Sequence, residues 1–387
     1  MNNVKRIYLD NAATTPVDER VVKAMQPYFS KKFGNASSIH EDGRIAREAV
    51  ERSRKTIADK LNVNVDEVFF TSSGTESDNL AIKGLALAHP EKKHLITSSI
   101  EHHAVLSVMQ FMETQGYRVT YLPVNEKGFV DSTDLERAIT KDTLLVSIMY
   151  ANNEIGTIQP ISELAKIAHE NGAFFHTDAV QAFGKIPIDV ANVDLLSASS
   201  HKIYGPKGVG LLMKKNDVNL LPLLHGGGHE RGLRSSTENV PGIVGFAKAV
   251  ELAFSSMKKE AKREEALRER LIKGILKIPN SWLNGDRKKR LPGNAHFGFD
   301  YIEGESLVLL LDQMSVSAST GSACSTGDLK PSHVLLALGL PHEKCHGSLR
   351  LGIGRGTTTK DVDYAIKCVE EAVSRLRELS PLGKGLK

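Results

Sequence analysis

A cluster of small polar residues follows the first apolar run that the sequence predicts as a buried strand. Residues 71–79 spell TSSGTESDN, directly after the run VFFT and at the start of a helical pattern. Free backbone N–H groups at the start of a helix, with Gly74 and Thr75 among hydroxyl residues, form a ready site for a phosphate. Serine, threonine and aspartate also cap ordinary helices, so this cluster alone leaves both interpretations open.

Two further clusters supply a carboxylate and an amine. Asp178 ends the apolar run FFHTD, where open α/β sheets bind ligands, although it is equally typical of a helix cap. Lys202 follows the run LLSASSH, and a lysine carried into a protein interior can form a Schiff base. Pyridoxal 5′-phosphate (PLP) is bound by three such parts: a lysine that holds its aldehyde, an aspartate that pairs with its ring nitrogen and a helix start that holds its phosphate.

The single cysteine in the run STGSACSTGD has the surroundings of a reactive thiol. Gly321 and Gly327 flank Cys324, as expected of a loop that carries a thiolate to a substrate. An inert cysteine normally has buried apolar neighbours, whereas those of Cys324 are small and polar. The sequence therefore favours a nucleophilic or sulfur-carrying role for this residue.

Two other residues are candidates for contacts with substrate and cofactor. Arg350, in the strand-like run GSLRLGIG, could bind a carboxylate through two N–H groups, or lie on an edge strand at the surface. His102, in the run EHH after a predicted strand, could stack on a cofactor ring or be an ordinary core histidine. Two histidines in HGGGH lack a third ligand, so we predict no resident metal site.

Composition excludes several classes of protein. The 387 residues carry 50 Lys and Arg against 46 Asp and Glu, and 41% are hydrophobic, as in soluble globular chains. A net charge of +4 is a weak field for nucleic acid. Three cysteines do not form a disulfide framework, and we found neither a signal-peptide pattern nor an apolar run of about 18 residues. We therefore expect a cytoplasmic protein without a membrane partner.

Short apolar runs, predicted as buried strands, alternate with amphipathic segments; the runs lie at residues 68–71, 94–97, 118–122, 144–149, 173–176, 195–198 and 208–213. This alternation predicts an α/β fold with a mostly parallel, seven-stranded sheet flanked by helices. A long helix over residues 251–276, rich in charge, is expected to lead into a smaller α/β domain. We predict a large domain over residues 15–255 and a small domain over residues 1–14 and 256–387 that carries Cys324.

These motifs together resemble the NifS/IscS-type cysteine desulfurases, which are fold-type I PLP enzymes of the class V aminotransferase family. The resemblance covers nearly the whole chain. Its motifs are YLDNAATTP at 8–16, GNASSIH at 34–40, NNEIG at 152–156, SSHKIYGPKG at 199–208, GSACSTG at 321–327 and GRGTT at 354–358. The order and spacing of SSHKIYGPKG and GSACSTG are hard to obtain by chance.

The resemblance implies a role for each matching residue. Lys202 would hold the cofactor aldehyde and later move protons, Asp178 would pair with the ring nitrogen, Gln181 would contact the ring oxygen and His102 would stack over the ring. The phosphate would be held by Gly74, Thr75, Ser199, His201 and, from the neighbouring subunit of a homodimer, Thr237. The substrate carboxylate would be bound by Arg350, Asn153 and Asn11, of which Asn153 would also lie beside the cofactor.

By the same resemblance, Cys324 would take the sulfur of L-cysteine as a persulfide and leave L-alanine. The acceptor would be an iron–sulfur scaffold protein of the IscU/NifU type or another sulfur carrier, and Cys324 could contact a transferred cluster. Transamination and selenocysteine lysis remain rival PLP reactions. A non-catalytic binding protein is the alternative from another class, and the lack of a GxGxxG motif disfavours a nicotinamide oxidoreductase.

Overall fold

The computed structural model describes residues 6–321 and 331–380. Its strands are β1 (Ile7–Tyr8), β2 (Val68–Thr71), β3 (His94–Ser98), β4 (Arg118–Leu122), β5 (Thr143–Ser147), β6 (Phe174–Asp178), β7 (Leu195–Ser199), β8 (Gly210–Lys214), β9 (Ser281–Leu283), β10 (Asn294–Phe299), β11 (Val316–Ser317) and β12 (Ser348–Gly352). Its helices are α1 (Glu19–Met25), α2 (Pro27–Ser30), α3 (Glu41–Leu61), α4 (Gly74–Ala88), α5 (His103–Thr114), α6 (Ser132–Ala138), α7 (Ile161–Glu170), α8 (Val240–Ile275), α9 (Gly304–Gln313), α10 (His333–Ala337), α11 (His342–His346) and α12 (Thr359–Leu379).

The large sheet has seven strands in the order β2-β8-β7-β6-β5-β3-β4, which confirms the predicted α/β fold with a mostly parallel sheet. Neighbouring strands from β7 to β4 pair in parallel, and β8 runs antiparallel to both β2 and β7. Since β6 and β7 are parallel neighbours, their final residues Asp178 and Ser199 lie at the same edge of the sheet.

Both faces of this sheet are buried, which explains why its strands are continuous apolar runs rather than alternating ones. On one face, residues such as Phe70 and Phe175 pack with the helices α3, α7 and α8. On the other, Phe69 and Leu145 pack with α4 and α5. Burial on both faces leaves the carboxyl ends of the strands as the place where polar side chains can gather around a ligand.

Helix α8 begins at Val240, eleven residues before the predicted start at residue 251, so that boundary was wrong. Asn239 caps the helix by accepting from the N–H of Gly242. The first turns are apolar because Ile243 and Phe246 are buried against the large sheet, and only the later turns carry the charges that marked the helix in the sequence.

A second hydrophobic core forms around the antiparallel sheet β9-β10-β12 and the pair β1-β11. It contains Leu9 from the N-terminal segment and Leu271 from the last turns of α8, and Cys368 of α12 is buried in it. Core residues of α8 belong to the large-sheet cluster up to Ala253 and to the second cluster from Leu267 onward. The proposed domain boundary at 255/256 lies between these two groups.

Within residues 6–321 and 331–380, one helix, α8, is long enough to cross a membrane. One window of it, with a mean hydropathy of 1.2, is also apolar enough to do so. Half of that window is buried inside the protein, and core helices of soluble proteins meet the same criterion. Over the same described ranges, no group of three or more His, Cys, Asp or Glu side chains is arranged to hold a metal ion.

Candidate active site

A cavity of about 350 Å³ opens at the carboxyl ends of β6 and β7, between the large sheet and the second core. Most of the residues predicted to bind cofactor or substrate line it: Gly74, Thr75, His102, Asn153, Asp178, Gln181, Ser199, His201, Lys202 and Arg350. They come from segments that are far apart in the sequence, and the sheet topology brings them together.

The first turn of α4 supplies backbone donors to this cavity. Ser73 caps the helix by accepting from the N–H of Glu76 at 3.1 Å. The N–H groups of Gly74 and Thr75 precede the first intrahelical hydrogen bond and have no acceptor among the described residues. A Cβ at Gly74 would lie 2.5 Å from Cγ2 of Val180, so only glycine allows the helix to begin this close to the neighbouring turn.

Asp178 is buried at the end of β6 and accepts a hydrogen bond from the N–H of Val180 at 2.9 Å. Burial raises the pKa of Asp178 to about 6, against the opposing effects of the Val180 N–H and the Lys202 ammonium. A carboxylate in this position is stabilised by any cation that enters the cavity. The protonated nitrogen of a pyridine ring is such a cation.

Lys202 reaches the cavity from the turn after β7. Its Nζ donates to the carbonyl oxygens of Ala12 and Ala13 at 2.8 and 2.7 Å. Gln181 donates from Nε2 to the same Ala12 oxygen at 2.9 Å. The N-terminal segment therefore gathers the lysine and the glutamine on one side of the site.

The two histidines of the cavity are neutral near physiological pH. His102 caps α5, with Nδ1 accepting from the Ala104 N–H at 3.1 Å. Burial, followed by the nearby Lys202 charge, lowers the pKa of His102 to about 4. Burial likewise lowers the pKa of His201 to about 4, and its Nδ1 contacts Thr14 Oγ1 at 3.1 Å. A neutral imidazole can stack on an aromatic ring even when that ring carries a positive charge, because no two like charges then face each other.

Arg350 enters from β12 and is 4% exposed. Nη1 donates to the carbonyl of Asn153 at 3.1 Å and Nη2 to Asp10 Oδ1 at 3.1 Å. The buried Nε has no acceptor among the described residues. Two neighbours hold the guanidinium plane in the cavity wall, where it can bind a carboxylate.

Three predicted residues lie elsewhere. Asn11 lines a second, adjoining cavity, and its amide donates to the Gly352 carbonyl at 2.8 Å. Thr237 is exposed and lies outside the lining of the 350 Å³ cavity. Cys324 lies outside the described residues, while Gly321, three residues before it, lines the cavity.

Asp78 also lines the cavity and is 1% exposed, although no sequence motif singled it out. Burial, and then the nearby Asp178 charge, raises the pKa of Asp78 well above its usual value. Its Oδ1 has no hydrogen-bond partner among the described residues, with His176 Nε2 at 3.6 Å. The signal was present, because positions 74 and 78 are one turn apart on a helix and therefore share a face.

The residues present fit PLP. The cavity contains a lysine amine, a buried carboxylate for a ring nitrogen and the open N–H groups of a helix start for a phosphate. Arg350 lines the same cavity, which places a guanidinium where the carboxylate of an amino acid can bind. We find one cavity with complementary groups for each part of such a cofactor–substrate pair.

Comparisons with known proteins agree with this geometry. The model of the aminotransferase class-V family matches residues 7–365. The chain is 55% identical to a cysteine desulfurase IscS of Methanosarcina thermophila over 381 residues, which covers 98% of this chain and 94% of that protein. A solved NifS-like protein superposes with a TM-score of 0.91 at 40% identity, covering 96% of this chain and 100% of the other.

A second solved structure shows a relative with a bound amino acid. The structure of SspA in complex with cysteine superposes with a TM-score of 0.81 at 38% identity, covering 90% of this chain and 98% of that one. The identity and the coverage exceed what a shared fold alone would give. The chain therefore belongs to the class-V aminotransferase family and, within it, to the cysteine desulfurases.

Proposed function

We propose that this protein is a PLP-dependent cysteine desulfurase, which converts L-cysteine to L-alanine and keeps the sulfur as a persulfide on Cys324. One observation carries the proposal: Lys202, Asp178 and Arg350 line a single cavity, as a PLP enzyme acting on an amino acid requires. The 55% identity to a curated cysteine desulfurase supports the same reaction. The transaminase alternative offers no role for Cys324.

When bound, PLP supplies an electron sink for negative charge at the Cα atom of an amino acid. The Asp178 carboxylate holds a proton on the ring nitrogen by pairing with it. The Lys202 amine, placed by the carbonyls of Ala12 and Ala13, takes and returns the proton at Cα. Arg350 binds the substrate carboxylate and so orients the Cα–H bond relative to the ring.

Cys324 acts as the nucleophile on sulfur. Its thiolate attacks the substrate sulfur, an S–S bond forms, and the Cβ–S bond breaks with its electron pair going to Cβ. Protonation of Cβ then gives the methyl group of alanine. The overall change, L-cysteine plus enzyme thiol to L-alanine plus enzyme persulfide, is balanced without an external oxidant or reductant.

The partners of the reaction follow from the same proposal. The acceptor is an iron–sulfur scaffold protein of the IscU/NifU type or another thiol carrier, reached in the cytoplasm. The working form is a homodimer in which Thr237 serves the phosphate site of the partner subunit. The exposure of Thr237, away from its own chain's cavity, supports this assignment.

The test is alanine release from L-cysteine, with dithiothreitol to discharge the persulfide, by the PLP-loaded protein and two variants. We expect alanine from the wild type and from Cys368→Ser, since Cys368 is buried in the second core, and none from Cys324→Ser. Equal rates from the wild type and Cys324→Ser would contradict the proposal and favour a lyase. Absence of alanine from the wild type would also overturn it.

A further inference from the structure

We propose that Lys185 is a positioning residue that holds the side-chain amide of Gln181 with its N–H donors directed at the cofactor site. The inference rests on the proposed function, since the acceptor for that donor is the ring oxygen of PLP. Nothing in the chemistry of the reaction itself requires a second lysine near the site. Its role therefore has to come from what it contacts.

The contacts of Gln181 determine how its amide is oriented. Its Oε1 accepts from Lys185 Nζ at 3.1 Å, and its Nε2 donates to the carbonyl of Ala12 at 2.9 Å. The same Ala12 oxygen accepts from Lys202 Nζ at 2.8 Å. If the amide rotated by half a turn, its NH₂ would face an ammonium and its oxygen would face a carbonyl. Both hydrogen bonds would be lost and both new contacts would be repulsive.

The local fold keeps Lys185 beside Gln181. The chain from Ala179 to Ile186 forms successive tight turns, with the N–H of Phe183 bonded to the Ala179 carbonyl and that of Ile186 to the Ala182 carbonyl. Residues four apart in such turns lie on one side, as in a helix. Phe183 is fully buried in the large-sheet core, which holds these turns in place.

Glu264 balances the charge of this lysine from the other side of the domain junction. Lys185 and Glu264 both line the second cavity, of about 60 Å³, which adjoins the cofactor cavity at Lys202 and Gln181. Burial lowers the pKa of Lys185 to about 8 and raises that of Glu264 to about 7. The amine can donate to Gln181 with or without its extra proton, and the Ala12 carbonyl, which can only accept, disfavours the flipped amide in both cases.

A double-mutant cycle on PLP affinity tests whether Lys185 acts through Gln181. The dissociation constant of PLP is measured by absorbance for the wild type, Lys185→Met, Gln181→Ala and the double variant. Loss of one hydrogen bond predicts about 3- to 10-fold weaker binding for Lys185→Met. In the Gln181→Ala background the same change is expected to cost less than about 2-fold. An equal loss in both backgrounds would overturn the proposal.

A lysine that donates elsewhere in the large domain provides the control. Lys214 Nζ donates to the carbonyls of Lys215 and Val218, and Lys214→Met is expected to leave PLP affinity unchanged. If it weakens binding as much as Lys185→Met, the effect is general instability and the proposal fails. Melting of the PLP-free proteins shows whether each variant is folded.

If Lys185→Met does not fold, Gln181→Glu is a second test. The carboxylate would pair with Lys185 but has no N–H to offer a ring oxygen, so PLP binding should weaken at least as much as in Gln181→Ala. Wild-type affinity in Gln181→Glu would overturn the inference. The proposed function is assessed separately, by PLP binding and alanine release of the wild type, and its failure would appear there.

Discussion

Asp178 is expected to destabilise the PLP-free protein, because its buried carboxylate then lacks the positive charge of the cofactor ring nitrogen. Its pKa is raised to about 6 by burial, from an ordinary 3.8. Asp78 beside it is also buried and shares this titration, so about 3 kcal/mol is the most that Asp178 alone contributes. Below about pH 4 both folded and unfolded states hold the proton, and the cost is absent. As pH rises from about 4 through 6, the unfolded chain releases the proton first, and the free energy of unfolding falls.

Asp178→Asn removes this titration and keeps the acceptor for the Val180 N–H. In the PLP-free form we expect the variant to be more stable than the wild type by up to about 3 kcal/mol near pH 7.5, and equal to it near pH 4. Urea unfolding at matched protein concentration measures the difference at each pH. In the PLP-loaded form the same variant should lose most turnover.

Asp189→Asn is the matched control for this experiment. Asp189 accepts from the N–H of Ala191 at 3.0 Å in the same two-residue pattern, but it is exposed. Its substitution should change stability by less than about 0.5 kcal/mol at either pH. If Asp178→Asn gives no stabilisation near pH 7.5, or the same stabilisation near pH 4, the assignment of a strained buried carboxylate is refuted.

Three further substitutions have expected outcomes that follow from contacts in the site. Gly74→Ala should weaken PLP binding and lower stability by about 1–3 kcal/mol, since the new methyl group overlaps Val180; unchanged affinity and melting temperature would contradict this. Arg350→Lys should raise the KM for L-cysteine about 10- to 100-fold, because the bidentate guanidinium is lost, while the absorption spectrum of bound PLP stays unchanged. A wild-type KM would count against Arg350 as the site that binds the substrate carboxylate. Glu154→Gln should keep PLP affinity and reduce alanine formation. Oε2 of Glu154 accepts from Ser332 at 2.6 Å, and a Cβ placed on Gly321 would overlap the same oxygen, so the carboxylate lies beside residues on both sides of the Cys324 segment in the sequence. Full activity of the variant would remove this role.

The sequence predicted the large sheet because each of its strands can be recognised from its own residues. Strands buried on both faces are continuous apolar runs, and each of the strands β2 to β8 was expected within a few residues of its position. The start of α8 was missed because its first turns are as apolar as a strand, and only contact with the large sheet shows that they are helical.

The candidate site was predictable at positions where a charged residue is unusual for its surroundings. Lys202 and Asp178 stood out as charged residues that end apolar runs, and the structure places both in one cavity. Asp78 was not singled out because its neighbours His176 and Asp178 are far away in the sequence. Lys185 was not singled out because a four-residue spacing from Gln181 does not by itself show that the two side chains are hydrogen-bonded. Their spacing shows which face they share with a known site residue, but not what faces them across a cavity.

The most direct test of the central claim is chemical trapping of PLP on the chain. Borohydride reduction of the PLP-loaded protein, followed by peptide mass spectrometry, should find the pyridoxyl group on the peptide containing Lys202. The visible absorption band of the loaded wild type should be absent from Lys202→Ala. Labelling of another lysine, or an unchanged band in Lys202→Ala, would contradict the assignment of this cavity as a PLP site.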